Sequence, residues 1–276
     1  MTLTLRITSR LLICLLPFYA VSAVAGAAAT SCVASDAKLH VITSGGFAAA
    51  YQQLAPQFTA LSGIEIDTSF GSSSGGAPDS IPERLKRSEQ FDVLILSRRS
   101  LDRLTAAGYV IPDSRTNLVE SLIGMAVKEG ATKPDISTQQ AFVDQLMQAE
   151  SIGYSASASG TYLSTVLWPK MGIWEQIRHK SRRIESERVA SVVARGDVEI
   201  GFQQISEILP IEGAAFVGPI PDSLQKSTLF STAITSNSEN VVEAKCLIDY
   251  LSSLEVAPTI RSVGLSPVAE LELVND

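Results

Sequence analysis

Between residues 39 and 107 the apolar residues recur in two alternating rhythms, and this alternation limits the fold more than any other feature of the chain. Leu39-His40-Val41-Ile42 reads as a short strand. Phe47, Tyr51, Leu54, Phe58 and Leu61 then fall at the three- and four-residue spacing of one helix face, with Pro56 inside the stretch as a candidate kink. Gly63 closes that helix, and residues 64–70 alternate as a second strand. A short helix follows at 81–87. Residues 91–96 are almost continuously apolar, as suits a parallel strand covered on both faces. Leu101, Leu104 and Ala107 mark the next helix. Strand and helix alternating in this way predict an α/β fold that opens as a doubly wound sheet. Ligands of such sheets bind beyond the carboxyl ends of the strands. The loops at 43–46, 71–76 and 97–99 are therefore where a site is expected.

The later chain changes register. Residues 122–127 read as an apolar strand with no helix directly after it. Ser137 and Gln140 have capping-box spacing and open a helix through Ala149. Residues 152–154 form a strand, followed by Ser155-Ala156-Ser157-Ala158-Ser159-Gly160 and a helix from Thr161. A helix at 189–194 leads to a strand at 198–202, and another strand is expected at 229–235. Ser236 and Glu239 make a second capping box, starting a helix through Leu251. The sequence holds no internal repeat.

With 276 residues the chain has room for one large domain or two small lobes. A hydrophobic share of 45% against 18% charged residues excludes a disordered chain. A formal net charge of −7 argues against a nucleic-acid partner, which needs a basic footprint. Two histidines and three cysteines, with no CxxC or HxxxH pair, leave no expected metal site, and no cofactor is expected. Arg6 and Arg10 precede an apolar run at 11–24 and then small residues, so residues 1–29 read as a secretory signal peptide and the mature protein as exported to the periplasm. Cys14 leaves with that segment. Cys32 and Cys246 remain, an even pair in an oxidising compartment. Three readings stay open for them: a disulfide, a lipid anchor at Cys32, or two free thiols.

Gly71-Ser72-Ser73-Ser74-Gly75 matches G-x-S-x-G between a strand and a helix, the nucleophile-elbow pattern of an exported serine hydrolase. The only histidine downstream of Ser73 is His179, inside the basic run at 178–183 that reads as a solvated helix end. The same loop makes better sense as an anion cradle, because small residues let backbone N–H groups converge and serine hydroxyls donate without adding charge. The second Ser/Gly loop, at 155–160, then places a ligand between two lobes. Arg98 and Arg99 follow the buried strand at its ligand-facing end, where a guanidinium can pair with a carboxylate. Trp168 and Trp174 read as core.

The chain resembles the periplasmic molybdate-binding proteins of ABC transporters. The resemblance runs from about Leu39 to Gly264 and rests on the first strand and helix together with Ser69-Phe70-Gly71-Ser72-Ser73-Ser74, the stretch 91–97, Ser159-Gly160-Thr161-Tyr162, Gly172-Ile173-Trp174 and Glu199-Ile200-Gly201-Phe202. It implies a two-lobe type II periplasmic-binding fold, each lobe a mostly parallel sheet flanked by helices, with the ligand in the cleft between them. Lobe one would hold residues 36–120 and 229–276 and lobe two 121–228, joined by crossing strands near 122–127 and 229–235. The implied activity is binding without catalysis: a monomer captures a small anion and delivers it to a membrane permease. Carried over by position, the family's cleft serine falls on Ser73, beside Ser72, and the small residue before its Gly-x-Tyr falls on Ser159. Its serine after the first strand falls on Gly46, with Ser44 nearby and expected to face elsewhere. Its cleft tyrosine falls on Gln204, beside Gln203, and its backbone donor after the lobe-two hairpin falls near Ser186. A serine and a tyrosine are thus replaced, and Arg98 stands where the family has a small residue. Molybdate or tungstate is one ligand branch; a larger anion such as an organic acid is the other.

Overall fold

The computed structural model describes Cys32 and residues 37–275. The expected signal segment lies outside the described residues. Among them, eleven strands build two sheets: β1 Lys38–Thr43, β2 Glu65–Phe70, β3 Val93–Ser97, β4 Thr116–Ser121, β5 Ile123–Lys128, β6 Ile152–Ser155, β7 Ser181–Ile184, β8 Ile200–Gln204, β9 Ala214–Pro219, β10 Thr228–Ile234 and β11 Leu265–Pro267. The first sheet has the order β11-β4-β10-β3-β1-β2 and the second β7-β6-β8-β5-β9. Each sheet is parallel over the strands that carry the candidate loops, β2-β1-β3 and β7-β6-β8. Each is antiparallel where the chain arrives from the other sheet, at β10 and β5.

The period-2 alternation of the strands explains why helices cover both faces. In β3, Val93 and Ile95 join the apolar cluster under the helix Gly45–Ser62, with Phe47, Leu54 and Phe58. Leu94 and Leu96 point the other way, against Ile81, Leu101 and Leu104. In β8, Ile200 and Phe202 face a cluster built on Phe142, Leu146 and Trp168. Trp168 is fully buried and stacks on Trp174 with ring centroids 5.7 Å apart, so the tryptophans serve the core as expected. Gly201 lies on the opposite face, where a Cβ would come within 2.5 Å of the Val193 side chain, and this lets the helix Val189–Arg195 sit directly on the sheet.

The chain changes sheets at Leu122, since Ser121 pairs with β10 and Ile123 with β8. It returns between Pro219 and Thr228. The crossings thus fall just before the two strands expected to make them; β5 and β10 each lie within one sheet. The Gln225 side chain ties the crossings together, accepting from the Ile123 N–H at 3.0 Å and donating to its carbonyl at 2.9 Å.

Local details depart from the sequence reading where side chains found other partners. Thr138, not Ser137, caps the helix Gln139–Gln148, its hydroxyl accepting from Ala141 N–H at 3.1 Å. Ser236 donates to the Gly108 carbonyl at 2.8 Å, and the helix Val241–Leu251 starts later, after Asn240. The basic run at 178–183 is not a helix end throughout: Ser181–Ile184 forms the edge strand β7, where exposed Arg182 and Arg183 suit an edge that must not recruit another strand. The helix Gly45–Ser62 continues through Pro56.

Cys32 and Cys246 are joined in a disulfide with Cα atoms 5.9 Å apart, which occupies the sulfur that a lipid anchor would need. The bridge ties Cys32 to the helix Val241–Leu251 across 214 residues of sequence. Closing so long a loop restricts the unfolded chain strongly. Cys246→Ala, or reduction of the wild type, is expected to lower stability by about 2–5 kcal/mol. Denaturant unfolding with and without reductant measures this directly; an unchanged midpoint would show that the bridge carries no stability.

Candidate functional site

The carboxyl ends of β1, β2 and β3 come together as the α/β reading requires. The Ser44 N–H donates to Ile95 O at 2.8 Å, and Gly71 N–H to Thr43 O at 3.2 Å. The Ser73 hydroxyl accepts from the Ser97 N–H at 3.0 Å, so the loop after β2 is fastened to the end of β3. Accepting that bond leaves the Ser73 O–H proton for another acceptor. Facing these loops are Ser155 at the end of β6 and Ser157 in the loop after it, the turn at 185–188, and the end of β8 with the helix Ile205–Ile208. Together they enclose a cavity of about 290 Å³, close to the lower end of the size range for small-molecule sites, roughly 300–1,000 Å³.

Of the residues singled out from sequence, the cavity brings together Ser44, Ser72, Ser73, Ser186 and Gln203. Ser44 faces into it, contrary to expectation, and its buried hydroxyl has no hydrogen-bond partner among the described residues. A buried hydroxyl without a partner is costly, so its place in the cavity wall marks a ligand position. Four candidates lie outside the lining. Gly46 is turned away: a Cβ there would fall 2.1 Å from the Phe230 ring, so the ring takes the space a serine would need. Arg98 begins the helix Arg98–Ala106 and gives its guanidinium to Asp102 at 3.0 Å and Asn117 at 3.1 Å. It lines a separate cavity of about 340 Å³ with Arg99 and Lys226. Gln204 donates to the Thr228 hydroxyl at 3.0 Å, at the return crossing. Ser159 is buried in the helix Ala158–Tyr162, its hydroxyl without a partner among the described residues.

The cavity also holds charged residues that the sequence reading passed over: Arg188, Glu207, Asp79, Glu185 and Glu187. Two of the acids are ion-paired and a third takes one hydrogen bond. Glu185 pairs with Arg183 at 3.1 Å and Glu187 with Arg195 at 2.9 Å, while Asp79 accepts from the Ser186 hydroxyl at 3.3 Å. Arg188 forms no ion pair with a described carboxylate. Glu207 reaches from the second sheet to the start of the helix Gly45–Ser62, where a Cβ on Gly45 would lie 2.0 Å from its Oε1. Next to it the Ser206 hydroxyl donates to Gly46 O at 2.7 Å. Burial pushes the Glu207 carboxyl up to about 7, against the pull of Arg188 and of hydrogen bonds from the Gln203 side chain and the Gln204 backbone. The sequence signal for both residues was position: Arg188 lies two residues after Ser186, and Glu207 three after Gln204.

This geometry removes the hydrolase alternative. Ser73 is fixed by Ser97, no histidine lines the cavity, and His179 sits in the turn Arg178–Lys180. The arrangement instead offers neutral hydroxyls, one guanidinium and one carboxyl that changes protonation near neutral pH, which suits holding an organic anion and moving a proton on it.

Residues 39–266 match the model of a family described as bacterial extracellular solute-binding protein. A protein of Pseudomonas sp named aconitate isomerase is 44% identical over 230 residues, covering 83% of this chain and 88% of that protein. A molybdate-binding protein of Escherichia coli (strain K12) is 22% identical over 262 residues, 91% of this chain and 97% of that protein. Among solved structures, the periplasmic molybdate-binding protein of Azotobacter vinelandii superposes with a TM-score of 0.65 at 20% identity, covering 82% of this chain and 98% of that one. The Azotobacter vinelandii structure shares the two-lobe α/β architecture.

Two outcomes test this geometry. Ser73→Ala leaves the Ser97 N–H unpaired at a site that is 1% exposed, so it is expected to cost about 1–3 kcal/mol of stability in denaturant unfolding; unchanged stability would mean that the bond contributes nothing. The second concerns pH. Between the ordinary 4.5 and about 7, Glu207 holds a proton in the folded protein that it has lost in the unfolded one. Its contribution to stability therefore falls as pH rises through that window. Glu207→Gln is expected to melt above the wild type at pH 8 and to converge with it below about pH 4.5. Parallel melting curves across the range would show a carboxyl that ionises normally.

Proposed function

The chain belongs to the bacterial extracellular solute-binding proteins, and from that premise we propose that it takes up a small polycarboxylate of the aconitate class in its serine-lined cavity and interconverts the isomers there. The observation that carries this reading is the pairing of Arg188, which has no carboxylate partner among the described residues, with the hydroxyls of Ser44 and Ser73 in one cavity. A guanidinium receives a carboxylate in two parallel bonds, and the hydroxyls donate to the remaining oxygens. The family supports capture of an anion and its delivery to an ABC permease outside the cytoplasm, in the periplasm. The name of the 44% identical relative adds chemistry to capture. The sequence reading expected binding without catalysis, and the isomerase reading goes beyond it. In this reading the lobes are residues 36–120 with 229–276, and 121–228, and they close on the ligand about the crossings at Leu122 and 219–228.

A second reading, capture of a molybdate-type oxyanion without chemistry, is favoured by the neutral serine donors and by the molybdate-binding relatives. Thermal-shift titration separates the two. A true ligand at about 100 times its Kd adds about 2.7 kcal/mol of stability. trans-Aconitate and cis-aconitate are expected to give that shift and molybdate to give none, with proton NMR following conversion of one isomer to the other. A molybdate shift with no aconitate shift would overturn the isomerase reading. Arg188→Ala is expected to weaken aconitate binding by about 2–5 kcal/mol, some 30-fold or more. Arg98→Ala, whose guanidinium is held by Asp102 and Asn117 outside the cavity, should leave affinity close to that of the wild type.

A further inference from the structure

We propose that Glu207 is the catalytic acid–base of this cavity, removing a proton from the methylene carbon of a bound unsaturated polycarboxylate and returning it to the far carbon of the same allylic system. The inference rests on the isomerase reading above and assigns its chemistry to one side chain.

The placement is specific. Glu207 stands in the wall of the serine cavity with Arg188 and Ser73. Its Oε1 occupies the space that a side chain at position 45 would fill, so Gly45 makes room for the carboxyl at the start of an 18-residue helix. That helix has no acidic residue in its first turn. The other charged groups lining the cavity are Asp79, Glu185, Glu187 and Arg188. Glu185 and Glu187 are paired with Arg183 and Arg195 and Asp79 accepts from Ser186, while Glu207 forms no ion pair with a described cation and lies within the influence of the Arg188 charge. No cysteine or histidine lines the cavity. Proton transfer by a carboxyl is thus the chemistry these residues support, and a carboxyl that titrates near neutral pH is populated both as base and as acid.

The step balances without a metal, oxidant or second substrate. In aconitate a methylene group lies between a carboxylate and a carbon–carbon double bond. A Glu207 oxygen takes one methylene proton, and the C–H electron pair spreads over the three-carbon allylic unit and its carboxylates. The charge gathered on the carboxylate oxygens meets the Arg188 guanidinium and the serine hydroxyls. Both carbon–carbon bonds of the allylic unit are then partly double. The neutral Glu207 carboxyl delivers its proton to the opposite terminal carbon: one C–H bond has broken, one has formed, and the double bond has moved by one position. The composition is unchanged, and the geometry of the new double bond is set by how the cavity holds the carboxylates.

The test uses the mature protein, Glu207→Gln and Glu207→Asp, with trans-aconitate in deuterated water followed by proton NMR. Wild type is expected to convert the substrate and to place solvent deuterium on the allylic carbons. Glu207→Gln is expected to lose conversion and deuterium incorporation by 100-fold or more. It should still bind trans-aconitate at least as tightly as wild type in thermal shift, because one negative charge has left the site of a trianion. Glu207→Asp should retain measurable conversion. If Glu207→Gln converts or exchanges at the wild-type rate, Glu207 is not the acid–base and only this inference falls. If Glu207→Gln loses binding together with conversion, its role is structural and the inference falls likewise. A wild type that binds trans-aconitate without conversion or exchange overturns the isomerase reading itself, and this assignment with it.

Discussion

The helix Gly45–Ser62 meets the second sheet's short helix Ile205–Ile208 so closely that the Glu207 carboxyl lies where a side chain at position 45 would start. A Cβ at position 45 would lie 2.0 Å from Glu207 Oε1, and one at position 46 would lie 2.1 Å from the Phe230 ring. Gly45 therefore sets the approach of the first sheet's helix to the second sheet at the cavity wall, while Gly46 seats the same helix against Phe230 of β10, in its own sheet. The rest of the site depends on that spacing. It lets the Ser206 hydroxyl reach Gly46 O at 2.7 Å, brings Glu207 to the start of a long helix, and turns Ser44 toward the same space. A serine at position 46, as the molybdate-binding pattern has it, is incompatible with this packing, because the Phe230 ring already fills the place. Overpacking of that kind costs about 1–3 kcal/mol, comparable to what one donor to an anion returns.

The crossings between the sheets explain why Glu207 stands where it does. The chain leaves the first sheet at Leu122, and the Leu122 carbonyl accepts the N–H of Ile205 at 3.0 Å. The helix carrying Ser206 and Glu207 thus begins on the crossing itself. Gln225 holds Ile123 from the returning segment, and Gln204 donates to Thr228 at the end of that segment. The carboxyl is anchored to the part of the molecule where the two sheets are covalently continuous. The contact between Asp79 and Ser186 is different in kind: a single exposed hydrogen bond at 3.3 Å between loops of the two sheets, worth little against solvent. Tight fixing on one side and light contact on the other is what a binding cleft requires, since one wall keeps its position while the entrance remains easy to part.

The architecture was legible because it rests on periodicity. The continuous apolar run at 91–96 is buried on both faces, as Val93 and Ile95 on one side and Leu94 and Leu96 on the other demonstrate. The loops at the ends of β1 and β2 could be located for the same reason, and Ser72, Ser73 and Ser44 are in the cavity they form. Arg98 could not be placed from its position alone. The guanidinium sits at the end of a long stem, and Asp102 one helical turn ahead captured it; only the tertiary position of Asn117 completes that arrangement. Glu207 was illegible for a different reason. An acid in the first turn of a helix is ordinarily a solvated residue that favours the helix dipole, and nothing in residues 205–208 announces that a glycine 162 positions earlier stands against it. Arg188 follows a basic run at 178–183 and is indistinguishable in sequence from surface charge; only the pairing of Glu185 with Arg183 and of Glu187 with Arg195 leaves it as the cation of the cavity.

The balance of charge in the cavity bears on what such a site can do once it is filled. A pocket that only binds an anion gains from neutral donors and a counter-charge, and in a lining that already carries Asp79, Glu185 and Glu187 a further buried carboxyl repels the ligand whenever it ionises. Glu207 is therefore a cost to binding, reduced because burial keeps part of the population protonated near neutral pH. Arrival of a polyanion strengthens that effect, since further negative charge nearby favours the neutral acid. Arg188 acts in the opposite direction, drawing Glu207 toward its ionised form and supporting the ligand's carboxylates as charge moves onto them. On the proposed assignment the same two groups set both the affinity for the anion and the readiness of the proton. A carboxyl that opposes anion binding once ionised is a group that proton transfer, as proposed above for Glu207, would use.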